Sequence, residues 1–182
     1  MRKVTSGLFT SVDGVVQDPF TFQYDSFDDE LGAGMGAFMS RTDTVLLGRN
    51  SYLEWAEWWP AHLDDPFGAW INPIRKYVAS TTLGDDLAWE NTTRIQGDVA
   101  DFVRGLKEQD GGDIAVCGSV TLVRSLLFAG VLDEFQLMIH PAIAGAGRKL
   151  FEPTDPATRL RLVDSTVTSK GNVLNTYTRL DA

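Results

Sequence analysis

Three stretches of this sequence combine small and hydroxylated residues in a way that suits a phosphate. The first is Gly118-Ser119-Val120-Thr121, directly after the apolar run Ile114-Ala115-Val116-Cys117. A small pair after a strand lets a phosphate approach the backbone. The amides of a following helix then face it, with the positive end of the helix dipole behind them. Ser119 and Thr121 add hydroxyl donors, although an ordinary serine cap would look the same. The second is Gly48-Arg49-Asn50-Ser51, where Arg49 could fork onto a phosphate or stay solvated. The third is Ser80-Thr81-Thr82, hydroxyls that suit a ribose or its phosphate but are common after strands.

These stretches need elements to hold them. Met1 to Phe9 is a β-leaning run, followed by a turn at Ser11-Val12-Asp13-Gly14. Asp18 to Asp25 reads as a loop. From Asp28 to about Arg41, Leu31, Met35, Phe38 and Met39 recur at helical spacing, against a cost of about 1 kcal/mol for each of three glycines. Strands are expected at Thr44–Leu47, Arg75–Ala79 and Asp113–Val116, and a helix at Tyr52–Trp59 stopped by Pro60. Asp98 should cap a helix carrying Val99, Phe102, Val103 and Leu106, and Gly118-Ser119 should open another that ends near Gly130. Phe135–His140, Leu160–Val167 and Val173–Leu180 read as strands without helices between them. Alternating units followed by a strand-rich tail predict an α/β fold, a mostly parallel sheet finished by antiparallel strands. In such a sheet ligands gather at the carboxyl ends of the strands, where all three stretches fall.

Bulk properties narrow the class. A chain of 182 residues fits one domain, here 1–182. The net charge of −9 argues against a nucleic-acid partner, which needs a basic surface. No apolar run is long enough for a membrane span, and the start breaks the pattern of a signal peptide, so a cytoplasmic protein is expected. One cysteine, Cys117, excludes an internal disulfide framework, and no metal site is expected. The usual dinucleotide fingerprint and the Walker pattern are both missing.

The order of the junctions carries a resemblance. Ser11-x-Asp13-Gly14, then Gly48-Arg49-x-Ser51-Tyr52, then Ala79-Ser80-Thr81, then Gly118-Ser119-x-x-Leu122 is similar to the dihydrofolate reductase fold. It most resembles the branch holding the reductase domain of bifunctional riboflavin-biosynthesis proteins, the RibD C-terminal domain. The most specific part runs from Gly118 through Leu126-Leu127-x-Ala129-Gly130-Val131-Leu132-Asp133-Glu134 to His140-Pro141 and Gly145-x-Gly147-x-x-Leu150-Phe151. The likeness covers nearly the whole chain, loosely between Asp18 and Asp29 and between Pro60 and Asn72.

That resemblance implies a three-layer fold and bound NADPH. Gly48, Arg49 and Ser51 would lie near cofactor phosphates, Ser80 and Thr81 near the adenine-side ribose phosphate, Gly118, Ser119, Val120 and Thr121 on the pyrophosphate, and Val16 near the nicotinamide. It implies hydride transfer to a small heterocyclic or sugar-derived substrate, and a homodimer, since relatives often pair. Asp28, at the start of its helix, is the candidate proton donor or substrate anchor, with helix capping as the plainer alternative. Tyr24 and Trp55 are candidates to stack on a planar substrate, although a core place suits such aromatics as well. The chain also departs from the family. Val15 follows the Asp-Gly pair where biosynthetic reductases carry a basic residue, and the aromatic, acidic stretch Phe20 to Asp29 replaces their Ser/Gly-rich substrate segment. Two other functions therefore stay open, a binding protein that keeps the fold without turnover, and dihydrofolate reduction.

Overall fold

Apolar runs bounded by glycine, proline and hydroxyl residues become strands here, as a computed structural model describing residues 1–180 shows. In chain order the elements are β1 (Val4–Ser11), α1 (Phe20–Gln23), α2 (Asp29–Arg41), β2 (Thr42–Gly48) and α3 (Arg49–Trp58). After a 3-10 turn at Trp59–Ala61 come α4 (Pro66–Ile71), β3 (Arg75–Ala79), β4 (Thr92–Arg94), α5 (Val99–Lys107) and β5 (Asp113–Val116). The remainder is α6 (Val120–Phe128), β6 (Glu134–His140), β7 (Leu160–Val167) and β8 (Val173–Arg179).

Three elements lie where the sequence suggested none: α1, α4 and β4. They have four, six and three residues, too short to show a period. Helix α3 begins three residues earlier than Tyr52, because Gly48 in extended conformation acts as its N-cap. Helix α2 forms despite its glycines, and one of them has a use. A Cβ on Gly34 would come within 2.8 Å of Leu174 Cδ2, so the glycine lets the helix lie close to β8. Leu31, Met138 and Leu174 then form a buried cluster with Phe9 and Met35 packed against it.

The chain falls into two compact units, each assembled from segments distant in sequence. The first joins Met1–Val4 to Arg41–Val131. Its strands pair β4-β3-β2-β5, all parallel. Val45, Leu46, Leu47, Val78, Ile114, Ala115 and Val116 are buried, as expected for parallel strands covered on both faces. This unit also buries a lysine completely. The Lys76 ammonium donates to Ile71 O, Asn72 O and Ile74 O at 2.7–2.9 Å and lies 4.6 Å from the centre of the Trp89 ring. Asn72 is used up as well: its amide donates to Trp59 O and Gly68 O, and its oxygen accepts from Trp89 Nε1.

The second unit holds Thr5–Ser40 and the chain from Leu132 on. β1 runs parallel to β6, with Ser11 opposite His140, and β6, β8 and β7 then pair antiparallel. His140 is fully buried at the end of β6. Ser26 donates its hydroxyl hydrogen to Gln23 O at 2.6 Å, so it accepts from His140 Nδ1 at 2.6 Å. That leaves Nε2 to accept from Gln23 Nε2 at 3.3 Å. The ring is thus a neutral tautomer tying α1 and the following segment to β6.

Candidate functional site

Two strand-to-helix junctions of the first unit interlock. Gly48 N–H donates to Gly118 O at 2.8 Å, and Cys117 N–H to Leu46 O at 3.1 Å. A Cβ on Gly48 would lie 2.5 Å from Ser119 Oγ and 2.9 Å from its amide nitrogen. A Cβ on Gly118, whose φ is +116°, would lie 2.7 Å from Ser51 Oγ. Glycine at both positions lets the starts of α3 and α6 lie side by side. The Gly118–Ser119 peptide is cis.

Neither of these starts is closed by a cap. Gly48 has no side chain, and Ser119 makes no capping hydrogen bond. The unit's other two α-helices are closed: Asp65 accepts from Phe67 N and Gly68 N, and Asp98 from Asp101 N. Two uncapped helix starts present amide donors and two positive dipole ends to the same place. They open onto a cleft of about 770 Å³ at the carboxyl ends of β2, β3 and β5.

Of the residues singled out in the sequence, Gly48, Arg49, Ser80, Thr81, Ser119 and Thr121 line this cleft. Arg49 is exposed, with Asn50 Oδ1 at 3.4 Å as its hydrogen-bond contact. Ser80 accepts from Thr82 N and Leu83 N at 3.2 and 3.0 Å, shaping its own turn. Ser51 and Gly118 hold the junction together rather than line the cleft, and Val120 opens α6. Asn50 and Thr82, which lie within the stretches named from the sequence, also line it, as do Val99 and Ser125, which were missed. Ser125 was detectable, since it lies one helical turn after Thr121.

Trp55 meets Trp59 and Phe67 edge-on at 6.4 and 5.4 Å, within an aromatic cluster of the first unit. The other candidates belong to the second unit. Val16 donates its amide to Arg148 O at 2.9 Å, in a loop that Asp13 anchors. Asp13 accepts from Ser11 Oγ, Ala144 N and Gly145 N at 2.6–3.0 Å, and these bonds, Ser11 foremost, hold its carboxyl down at about 2. Tyr24 is 78% exposed and ends α1. Asp28 caps α2 through Leu31 N at 2.9 Å and binds Lys170 N and Asn172 Nδ2 at 3.0 and 3.2 Å. Desolvation would raise its carboxyl, but hydrogen bonds from Thr168, Leu31, Lys170 and Asn172 outweigh that and leave it below the usual value. A carboxylate with that many donors is ionised at neutral pH and is poorly suited to giving a proton. An anchoring contact would have to share lone pairs already engaged.

A broader hollow of about 1040 Å³ lies at the other ends of the first unit's strands, beside Thr42, Asp43, Arg75 and Thr92. Its Arg2 is already bound to Asp43, to Thr44 Oγ1 and to Gly112 O. Strand amino ends are not where open α/β sheets bind ligands. Burial pushes the Cys117 thiol up to about 12, so it is no nucleophile near neutrality. Among the described residues no group of three or more His, Cys, Asp or Glu could hold a metal ion, and no helix is long and apolar enough to cross a membrane.

Comparison with known proteins places this arrangement. The uncharacterised protein YyaP of Bacillus subtilis strain 168 is 27% identical over 181 residues, which cover 97% of this chain and 94% of YyaP. A Shewanella sp. PV-4 protein named for riboflavin biosynthesis superposes with a TM-score of 0.74 at 21% identity, over 98% of this chain and 99% of its own. Dihydrofolate reductase from Enterococcus faecalis superposes with a TM-score of 0.61 at 16% identity, over 98% and 97% of the two chains. At those identities the structural likenesses carry the fold alone: dihydrofolate reductase-like, a mostly parallel sheet with antiparallel C-terminal strands, flanked by helices. The sequence profile of the RibD C-terminal domain matches residues 2–174, and the chain belongs to that family.

Proposed function

We propose that this chain is an NADPH-dependent reductase, acting on a small heterocyclic or sugar-derived substrate. One observation carries the reading: the two uncapped starts of α3 and α6, brought together by Gly48 and Gly118 above a single cleft. A dinucleotide has two kinds of group that such a place suits. Its pyrophosphate calls for backbone amides and hydroxyls, which the start of α6 with Ser119 and Thr121 can offer. Its ribose phosphate calls for a fixed positive charge, which Arg49 can supply beside the hydroxyls of Ser80 and Thr81. Membership in the RibD C-terminal family and the NADP(H) held by the Enterococcus faecalis reductase support the same choice. When bound, the nicotinamide would supply the hydride, and the chain's residues would bind and orient it.

A charge-assisted contact from Arg49 is worth roughly 1.5–3 kcal/mol, about ten- to a hundredfold in affinity. Titrating NADPH and NADH into the wild type and Arg49→Ala tests the reading. NADPH should bind more tightly, and the substitution should weaken NADPH by that factor while changing NADH little. Equal losses for both cofactors would remove Arg49 from the ribose phosphate, and no binding of either would end the proposal. A second reading, cofactor binding without turnover, is favoured by the engaged Asp28 carboxylate. Following NADPH oxidation against a panel of pterins, dihydrofolate, flavins and carbonyl compounds separates the two.

A further inference from the structure

The outward face of α3 departs from the pattern of a surface helix. Leu53 and Glu57 are four residues apart, as are Glu54 and Trp58, so these four exposed residues share one face. Such a face is normally polar, yet Leu53 is 42% and Trp58 57% exposed. Leu63, just past the 3-10 turn that follows, is 63% exposed. The Trp58 indole is also held in place. The His62 ring stacks on it at 3.9 Å and 14°, and His62 Nδ1 donates to Trp58 O at 2.6 Å. A tryptophan fixed in this way has already given up its rotamer freedom, so it can anchor a partner with little further ordering.

The charges on this face select the partner. Glu54 and Glu57 have no ion-pair partner among the described residues, and no lysine or arginine lies between Arg49 and Arg75. Glu57 sits in the last turn of α3, where the negative end of the helix dipole disfavours it, and it repels Glu54 three residues before it. The helix carries both acids against its own preference, and a basic partner would reverse both penalties. A second copy brings the same acids and a net charge of −9, while a nucleic acid or an anionic membrane brings phosphates. All of these are repelled. What fits is a helix laid along α3, with apolar side chains for Leu53 and Trp58 and lysines or arginines for the two glutamates, as in a charge-flanked coiled-coil seam.

We propose that the outward face of α3 docks a basic amphipathic helix of another protein, with Trp58 as the apolar anchor and Glu54 and Glu57 as the counter-charges. Isothermal titration of the full chain with a synthetic leucine–lysine amphipathic helix tests this, beside a control peptide with serine in place of each leucine. The leucine–lysine peptide should bind, and the serine control should bind about tenfold more weakly or worse. Trp58→Ala should weaken the complex about tenfold or more. Glu54→Gln together with Glu57→Gln should weaken it about fivefold, a loss that shrinks as salt is raised. Removing the same charge elsewhere in the unit, by Glu108→Gln with Asp110→Asn, should change affinity by less than about twofold. Circular dichroism checks that each variant is folded. No binding by the wild type, equal binding of the serine control, indifference to Trp58→Ala, or equal losses from the two neutralised pairs would each overturn the assignment. Self-association of the chain that Trp58→Ala abolishes would give the face to a second copy and overturn it as well.

Discussion

The surroundings of Lys76 and the paired starts of α3 and α6 belong to the same unit and follow opposite plans. The donors of Lys76 and Asn72 have their acceptors: three carbonyls take the ammonium, and the Asn72 amide is saturated by Trp59, Gly68 and Trp89. At the two helix starts the chain supplies donors and leaves them without a capping side chain. On the proposed function, the difference separates a polar group completed by the fold from one that a bound cofactor would complete. A buried cation completed by its own chain fixes a turn, here the end of α4 and the entry to β3. Helix starts without a capping side chain beside a cleft are, on the proposed function, where a bound phosphate would be held.

Lys76 is the place to break that comparison hardest. Burial pushes its ammonium down to about 8, against the charge of Glu90, so it remains protonated at neutral pH. Lys76→Met keeps the length of the side chain but leaves three carbonyls inside without a donor. Each unpaired buried group costs about 1–3 kcal/mol, so urea unfolding should show a loss of roughly 3 kcal/mol or more. Cofactor affinity of the folded fraction should stay as in the wild type. A loss below about 1 kcal/mol would mean that the carbonyls find other partners, and the contrast with the helix starts would weaken.

The same contrast marks how far the sequence could be read. The regular elements were legible because apolar period and punctuation agree: β7 has the expected bounds, and α5 begins after its Asp98 cap. The glycine and hydroxyl junctions were legible for the same reason, since Gly48, Ser80 and Gly118 end apolar runs. What the sequence hides is which polar groups are already engaged. Asp28 meets Lys170 and Asn172 from the far end of the chain, and Ser26 meets His140 in the same way. Such contacts between distant residues leave no period to detect. Nor could the sequence show that Ser119 would leave its hydroxyl out of the cap, although Asp98 in the same setting does not.

The His140 cluster is a completed region of the second unit, and acid should expose its weak point. Burial lowers the imidazole below its ordinary 6.5, with Asn172 and the charge of Asp28 opposing in part. The unfolded chain therefore takes up the proton first as pH falls through 6.5, and stability declines from there towards the folded value. Above 6.5 both states are neutral and the contribution is flat. Urea unfolding followed across that value should show the decline in wild type and a flatter profile in His140→Asn. An equal slope in both would assign the acid sensitivity to groups other than His140; Asp13 is not one of them, since its own decline begins only near 3.8.

The smallest effect tests the contrast most directly, because it compares two helix starts within one unit. Asp98 and Ser119 are both extended N-cap residues before nine-residue helices, α5 and α6. Asp98 accepts from Asp101 N at 2.9 Å, so Asp98→Ala should cost about 1 kcal/mol in thermal or urea unfolding and leave NADPH affinity untouched. Ser119 makes no such bond, so Ser119→Ala should cost a few tenths of a kcal/mol at most, while weakening NADPH by about three- to tenfold through the lost hydroxyl. One substitution would then read out in stability and the other in binding. If Ser119→Ala instead destabilised as much as Asp98→Ala and left NADPH binding alone, the open start of α6 would be an ordinary capped helix in solution. The cleft would then lose its strongest claim to a phosphate.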